Sequence, residues 1–314
     1  MDQRRTEGGR GHRPLCAWLA LAAVVVAAAG CANTKAAGEF GKQTAEMTGV
    51  VKTEFKALEG ICAKKAELAI NVGNRDDEKP LEDCKEFRQA QGRLGKYTVD
   101  VLDQLGKALA ALVEDKNFTV SSEIQGVGKA VQGLKGSDGK PLVQPATVDA
   151  FTKVANLIAD IIAAKMRQDA VQKVVDSTDS MKQLGHVLKA YFVPVPSSPI
   201  AGQKPPYQNW VELGDVHLSG IEATLAGALG RQEPIRAREL RREVKILKAS
   251  MAERSQDKGK IPSKVGEAID AWQLAVDKFK EEALKPEPED LYKRLKDLYE
   301  KTNAAREAIE KAGG

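Results

Sequence analysis

Residues 47–62 read MTGVVKTEFKALEGIC. Met47, Val51, Phe55, Leu58 and Cys62 recur at spacings of four and three, so on a helix they share one face, while most of the polar residues between them fall elsewhere. That reading predicts a helix ending near Asn71, where Val72-Gly73-Asn74-Arg75-Asp76-Asp77 supplies a polar turn. A second stripe, Leu81, Cys84, Phe87, Leu94, Val101, Leu105, Leu109 and Leu112, predicts a partner helix ending near Glu114. The two make an antiparallel hairpin.

The same period continues downstream. Val120, Ile124, Val127 and Val131 outline a shorter helix, weakened in its middle by Gly126 and Gly128. From Val148 to Phe192 apolar residues recur without proline, which fits one long helix or two that break near Arg167-Gln168-Asp169. Residues 193–206, VPVPSSPIAGQKPP, hold five prolines in fourteen residues and cannot be helix. Beyond them four more stripes follow. Trp210, Leu213, His217, Ile221, Leu225 and Leu229 mark the first, and Leu240, Val244, Leu247 and Met251 the second. The third, Val265, Ile269, Trp272, Val276 and Phe279, steps four and three like a heptad seam. Leu291, Leu295, Leu298, Ala305 and Ile309 supply the last. The expected fold is all-α: a bundle of long antiparallel helical hairpins, about eight helices, with a Pro-rich break in the middle.

Upstream of this domain the chain is built differently. Arg4, Arg5, Arg10 and Arg13 precede the apolar run Leu15–Ala29, and small residues lead to Cys31. Basic, then apolar, then small is the order of a secretory signal. The run is shorter than the roughly 20 residues a membrane-spanning helix needs. Ala28-Ala29-Gly30-Cys31 resembles the lipobox of bacterial lipoproteins, although Ala28 stands where that family prefers Leu. The resemblance covers residues 1–31 only. It implies cleavage after Gly30, a diacylglycerol on the Cys31 sulfur, and a protein held on the bacterial cell envelope. Ala32 after the cysteine further resembles the sorting pattern for an outer-membrane lipoprotein facing the periplasm. The implied organisation is a signal peptide over 1–30, lipidated Cys31 with a flexible tether to residue 41, helical regions over 42–192 and 207–314, and the linker 193–206 between them.

With Cys16 leaving in the signal and Cys31 carrying lipid, Cys62 and Cys84 remain. In an oxidising envelope they are expected to form one disulfide stapling the first hairpin, since neither belongs to a CxxC pair. The chain carries a net charge of +4, and the leader accounts for four arginines against two acids. The mature protein is thus near neutral, which argues against a nucleic-acid partner.

Motif chemistry is sparse. Neither His186 nor His217 belongs to HExxH or a Glu-x-x-His pair, and GxSxG is missing. His217 falls on the apolar stripe of its helix and is expected in the core, whereas His186 is expected in solvent. Gly136-Ser137-Asp138-Gly139-Lys140 does not complete a phosphate loop and reads as a turn. The acids Asp76, Asp77, Glu78, Glu82 and Asp83 cluster near the first turn without EF-hand spacing. The charge is most uneven over residues 231–264, with eleven Lys or Arg against five acids. There Arg236, Arg238, Arg241, Arg242, Lys245 and Lys248 crowd one helix, either as a solvated face paired with Glu239 and Glu243 or as a patch for anionic partners.

These features predict a non-catalytic envelope lipoprotein with no cofactor, a scaffold or binding module meeting a partner protein or an anionic envelope surface. A carrier of an apolar ligand within the bundle is the alternative. A carboxylate-based enzyme would need paired inward-facing acids, and the apolar stripes contain almost none.

Overall fold

The computed structural model describes residues 13–73, 91–114, 118–136, 139–164, 167–195, 205–255 and 260–313, giving backbone alone for 13–33, 91 and 228. Among them all regular structure is helical, apart from an isolated antiparallel bridge between Lys135 and Pro141. The helices are α1 (Arg13–Val72), α2 (Gln91–Glu114), α3 (Ser122–Gln125), α4 (Val127–Gln132), α5 (Pro145–Ala163), α6 (Arg167–Asp176), α7 (Thr178–Phe192), α8 (Pro206–Ala226), α9 (Ala228–Gln232), α10 (Pro234–Arg254), α11 (Ile261–Glu282) and α12 (Glu289–Lys311). Nine of these described helices reach ten residues or more, close to the expected number.

The chain is organised around α1, 60 residues long and so about 90 Å from end to end. The tether expected over 32–41 is therefore replaced by helix. Ala36, Ala37 and Phe40 are buried, and Phe40 packs against Trp272 and Phe279 with ring centroids 6.4 and 4.9 Å apart. The glycines of this segment serve close packing rather than looseness. A Cβ on Gly41 would lie 2.6 Å from the Gly106 carbonyl oxygen, so α1 and α2 touch backbone to backbone.

Cross-helix contacts fix the direction of each neighbour. α2 runs antiparallel to α1, with Gly41 beside Gly106, Thr48 beside Asp103 and Phe55 beside Gly95. α11 is also antiparallel to α1: Phe279 meets Phe40, and Trp272 Nε1 donates to Thr44 Oγ1 at 3.0 Å. α7 lies antiparallel along α11 through three ion pairs, Lys182–Asp277, Lys189–Asp270 and Lys280–Asp179. α12 folds back on α11, where the Glu282 carboxylate accepts from the Leu291 amide. With α5 against α2 and α7, these form a tier around the middle of α1, from about Ala36 to Phe55.

A second tier covers the distal half. Tyr207 reaches Glu54 and His217 reaches Lys65, so α8 runs parallel to α1; Arg254 reaches Glu54 and Arg236 reaches Asn71, so α10 runs back down it. The helical regions on either side of the Pro-rich stretch thus share one core; residues 196–204 of that stretch lie outside the described residues. Phe192, the last residue before it, packs on Tyr207 just after it with ring centroids 5.0 Å apart, and one apolar cluster runs through both tiers. The C-terminal region 207–314 divides instead, with α8–α10 building the distal tier and α11–α12 returning to the first.

The stretch 147–192 breaks twice. Ala164 turns extended after α5, near the expected Arg167 position, and Ser177 separates α6 from α7. The bends bring Ala170, Val171 and Val174 onto α1, which one straight rod could not do while α7 follows α11. The one short helix expected over Val120–Val131 is instead two, split at Gly126 with Val120 ahead of the first and Gly128 inside the second, and Gly139, at φ +76°, closes the predicted turn with its amide donating to Gly136.

Candidate functional site

The six basic residues predicted on α10 separate into two groups. Three hold the distal tier together. Arg236 donates to the Asn71 carbonyl at 3.2 Å and pairs with Glu233, Arg241 donates to the Leu225 carbonyl at 2.7 Å, and Lys248 pairs with Glu222 at 2.8 Å. Carbonyls of Asn71 and Leu225 lie at the C-terminal ends of α1 and α8, where the unsatisfied oxygens and the helix dipole favour a cation.

The other three, Arg238, Arg242 and Lys245, are exposed and step four and three residues along one stripe. Among the described residues none of them makes a hydrogen bond or ion pair, so the pairing with Glu239 and Glu243 is not formed. Ile235 and Ile246 stand beside the stripe, 75% and 68% exposed. The outer surface of α10 is therefore a short row of cations with an apolar margin. Leu213 and Val216 on α8 add to the exposed apolar surface of this tier, at 59% and 66%. Here the sequence reading erred by one position: the buried face of α8 is Tyr207, Trp210, Gly214, Leu218, Ile221 and Leu225, and His217 lies outside. His217 lies beside Lys65, its Nδ1 3.2 Å from the ammonium nitrogen. Gly214 lies on the side of α8 that meets α10, where the Met251 methyl fills the space a Cβ would take. His186 is exposed, as expected.

Between the tiers lies a polar network that sequence periodicity missed. Glu54 and Arg254 are both fully buried and form a two-pronged pair, Nε to Oε1 at 2.8 Å and Nη2 to Oε2 at 3.1 Å. Tyr207 donates to Glu54 Oε1 at 2.7 Å, Arg254 Nη1 donates to the Ser250 carbonyl at 3.1 Å, and Ser250 donates to the Ala312 carbonyl at 2.9 Å. Burial pushes the Glu54 carboxyl above its usual range, outweighing Arg254 and Tyr207, which pull it down. Burial, and then the Glu54 charge, likewise raise the phenols of Tyr207 and Tyr191. The network joins α1, α8, α10 and the end of α12, so it pins both tiers to one layer of the spine. Its only sequence signal is Glu54 standing next to Phe55 on the core-facing side, which the polar residues around it conceal.

A second inward acid, Asp103, accepts from Lys52 at 2.7 Å and Lys107 at 2.8 Å, with Thr48 at 3.4 Å. Burial alone would raise its carboxyl, but the two lysines prevail and hold it below the ordinary value. Glu54 and Asp103 correct the expectation that inward acids are almost absent. They do not form a pair, since one is bound to an arginine and the other to two lysines.

Among the described residues no three His, Cys, Asp or Glu side chains converge, and no helix is long and apolar enough to cross a membrane. A surface cleft of about 810 Å³ opens between α1, α2 and the α3–α4 segment and mixes Phe55 and Tyr97 with Glu59, Arg93, Lys96 and Asp100. Cys31 falls in the stretch of α1 described by backbone alone. Cys62 is buried on the distal half of α1, while Cys84 and the acidic cluster 76–83 lie outside the described residues. Compared with protein-family models, curated proteins and solved structures, the chain matches none.

Proposed function

We propose that this chain is a non-catalytic lipoprotein of the bacterial envelope, anchored through lipid on Cys31, whose helical rod presents a binding face to a partner. The anchor rests on the leader and its lipobox-like end. One acyl chain holds a protein only marginally and two hold it stably, so a diacylated Cys31 means a tethered protein. The outer membrane facing the periplasm is the proposed address, and a Cys62–Cys84 disulfide belongs to the same reading.

The observation that carries the binding reading is the division of labour on α10. Arg236, Arg241 and Lys248 are spent on internal carbonyls and carboxylates, whereas Arg238, Arg242 and Lys245 are exposed and make no direct hydrogen bond or ion pair among the described residues, Lys245 feeling only the field of the Glu222 carboxylate that Lys248 holds. A face of that kind, with Ile235 and Ile246 exposed beside it, suits an anionic surface or an acidic protein. Anchor and face are tested separately. Mass spectrometry of the native protein should find an acylated amino-terminal cysteine, and a bare thiol or uncleaved leader refutes the anchor. Crosslinking in cells from a photoreactive residue replacing Ile246 should capture a partner that is lost when Arg238, Arg242 and Lys245 are reversed; an unchanged pattern refutes the face.

A further inference from the structure

The spine helix places the basic row far from the proposed anchor. Forty residues of continuous helix separate Cys31 from Asn71, about 60 Å at 1.5 Å per residue. α10 is fixed along that distance by Arg236 at Asn71 and Arg254 at Glu54. By that register Lys245 stands roughly 45 Å and Arg238 nearly 60 Å along α1 from Cys31. The Debye length at physiological salt is about 8 Å, so an upright rod gives this row no attraction to the bilayer that holds the lipid. The positive charge is concentrated at that distance from Cys31. Residues 231–264 carry a net +6, and because the mature chain totals +2, everything outside them totals −4.

The row itself has the form of a polymer contact. Arg238, Arg242 and Lys245 lie along the helix axis over about 10 Å, and two of them are guanidinium groups able to take a carboxylate through two parallel hydrogen bonds. Ile235 and Ile246 offer apolar surface to the sugar or peptide between charges. Resting on the lipoprotein reading above, we infer that this row grips the carboxylate-bearing glycan polymer of the cell wall, so that the molecule is a strut from the anchoring membrane to the wall.

The experiment uses the full-length protein with Cys31→Ala, which removes the lipid from the measurement, against purified peptidoglycan sacculi and against vesicles of phosphatidylglycerol and phosphatidylethanolamine. Co-sedimentation with sacculi is expected, falling about tenfold or more when Arg238, Arg242 and Lys245 are changed to Glu together, a loss of roughly 1.4 kcal/mol or more. It should also be lost near 1 M salt, where the Debye length is roughly 3 Å. Because all three side chains are exposed, the variant should retain its helicity. A second variant, Glu239→Lys with Glu243→Lys, should bind sacculi more tightly. Equal or tighter binding to the vesicles through the same residues overturns the inference in favour of a lipid surface. Failure to bind sacculi, or binding indifferent to both variants, overturns it outright. An unlipidated Cys31 in the native protein sinks the anchor reading while leaving sacculus binding measurable, so the two failures are distinct.

Discussion

Replacing Arg254 by Met should unfasten the distal tier. Arg254 and Glu54 have no solvent contact, and the substitution leaves the Glu54 carboxylate buried with only the Tyr207 hydroxyl to satisfy it. Removing one member of a buried pair costs about 3–5 kcal/mol, because the remaining charge keeps its desolvation penalty. Ser250 also loses Arg254 as a donor, to both its carbonyl and its hydroxyl oxygen. At about 2–4 °C per kcal/mol for domains somewhat smaller than this one, the melting temperature should fall by roughly 6–20 °C. Thermal unfolding followed by circular dichroism measures the total. Amide hydrogen exchange localises it: protection should fall first in α8 and α10, which hang on the network, and least in α11, whose contacts lie with α7 and α12. The double replacement Glu54→Leu with Arg254→Met should recover most of the loss, since it removes both charges and leaves Tyr207 as the main orphan. A single variant that melts within about 1 °C of the parent, or a double variant no better than the single, would refute the argument that uncompensated charge dominates.

Asp103 supplies a pH test. Its folded value is depressed, so its contribution to stability is present above the unfolded value near 3.9 and is lost as pH falls through the lower folded one. Asp103→Asn should therefore flatten the acid limb of the stability curve below about pH 4, and an unchanged limb would contradict the lysine clasp. Glu54 has the opposite sign: its raised value means stability falls as pH climbs from about 4.3 through the folded value. Gly106→Val should cost about 1–3 kcal/mol, because a Cβ there would come within 2.7 Å of the Gly41 carbonyl oxygen; chemical denaturation reads it, and a neutral result would deny the backbone contact of α1 and α2. Thr44→Val leaves the buried Trp272 indole N–H without its acceptor and should cost about 1–3 kcal/mol, with a shifted tryptophan emission; no change in either would deny that bond a role in stability. Labelling thiols in the denatured, unreduced protein should find neither Cys62 nor Cys84 reactive, and full labelling would exclude the proposed bond.

Helix was legible almost everywhere because its period is local. Whether Phe55 shares a face with Leu58 and Cys62 depends only on their spacing, and Gly126, Gly139 and the prolines acted as chain breakers wherever the structure can be compared. The errors fell where spacing cannot discriminate. Leu213 and His217 fit an apolar stripe as well as Gly214 and Leu218 do, and only packing against the neighbouring helices selects the second. Likewise Arg236, Arg238, Arg241, Arg242, Lys245 and Lys248 look alike in a sequence, yet three bond the carbonyls and carboxylates of other helices and three stand exposed without a direct bond among the described residues.

The amino-acid order by itself determined the helical fold of the described residues and an uneven charge concentrated over residues 231–264, and the proposed export signal rests on it alone. Tertiary structure decided that α1 is one long spine, that the chain crosses the Pro-rich stretch and still returns to the same core, and that Glu54 and Arg254, two hundred residues apart, meet in its centre. Those outcomes depend on which helix lies against which. That choice is made by the fit of surfaces distant in sequence, and no local period encodes it.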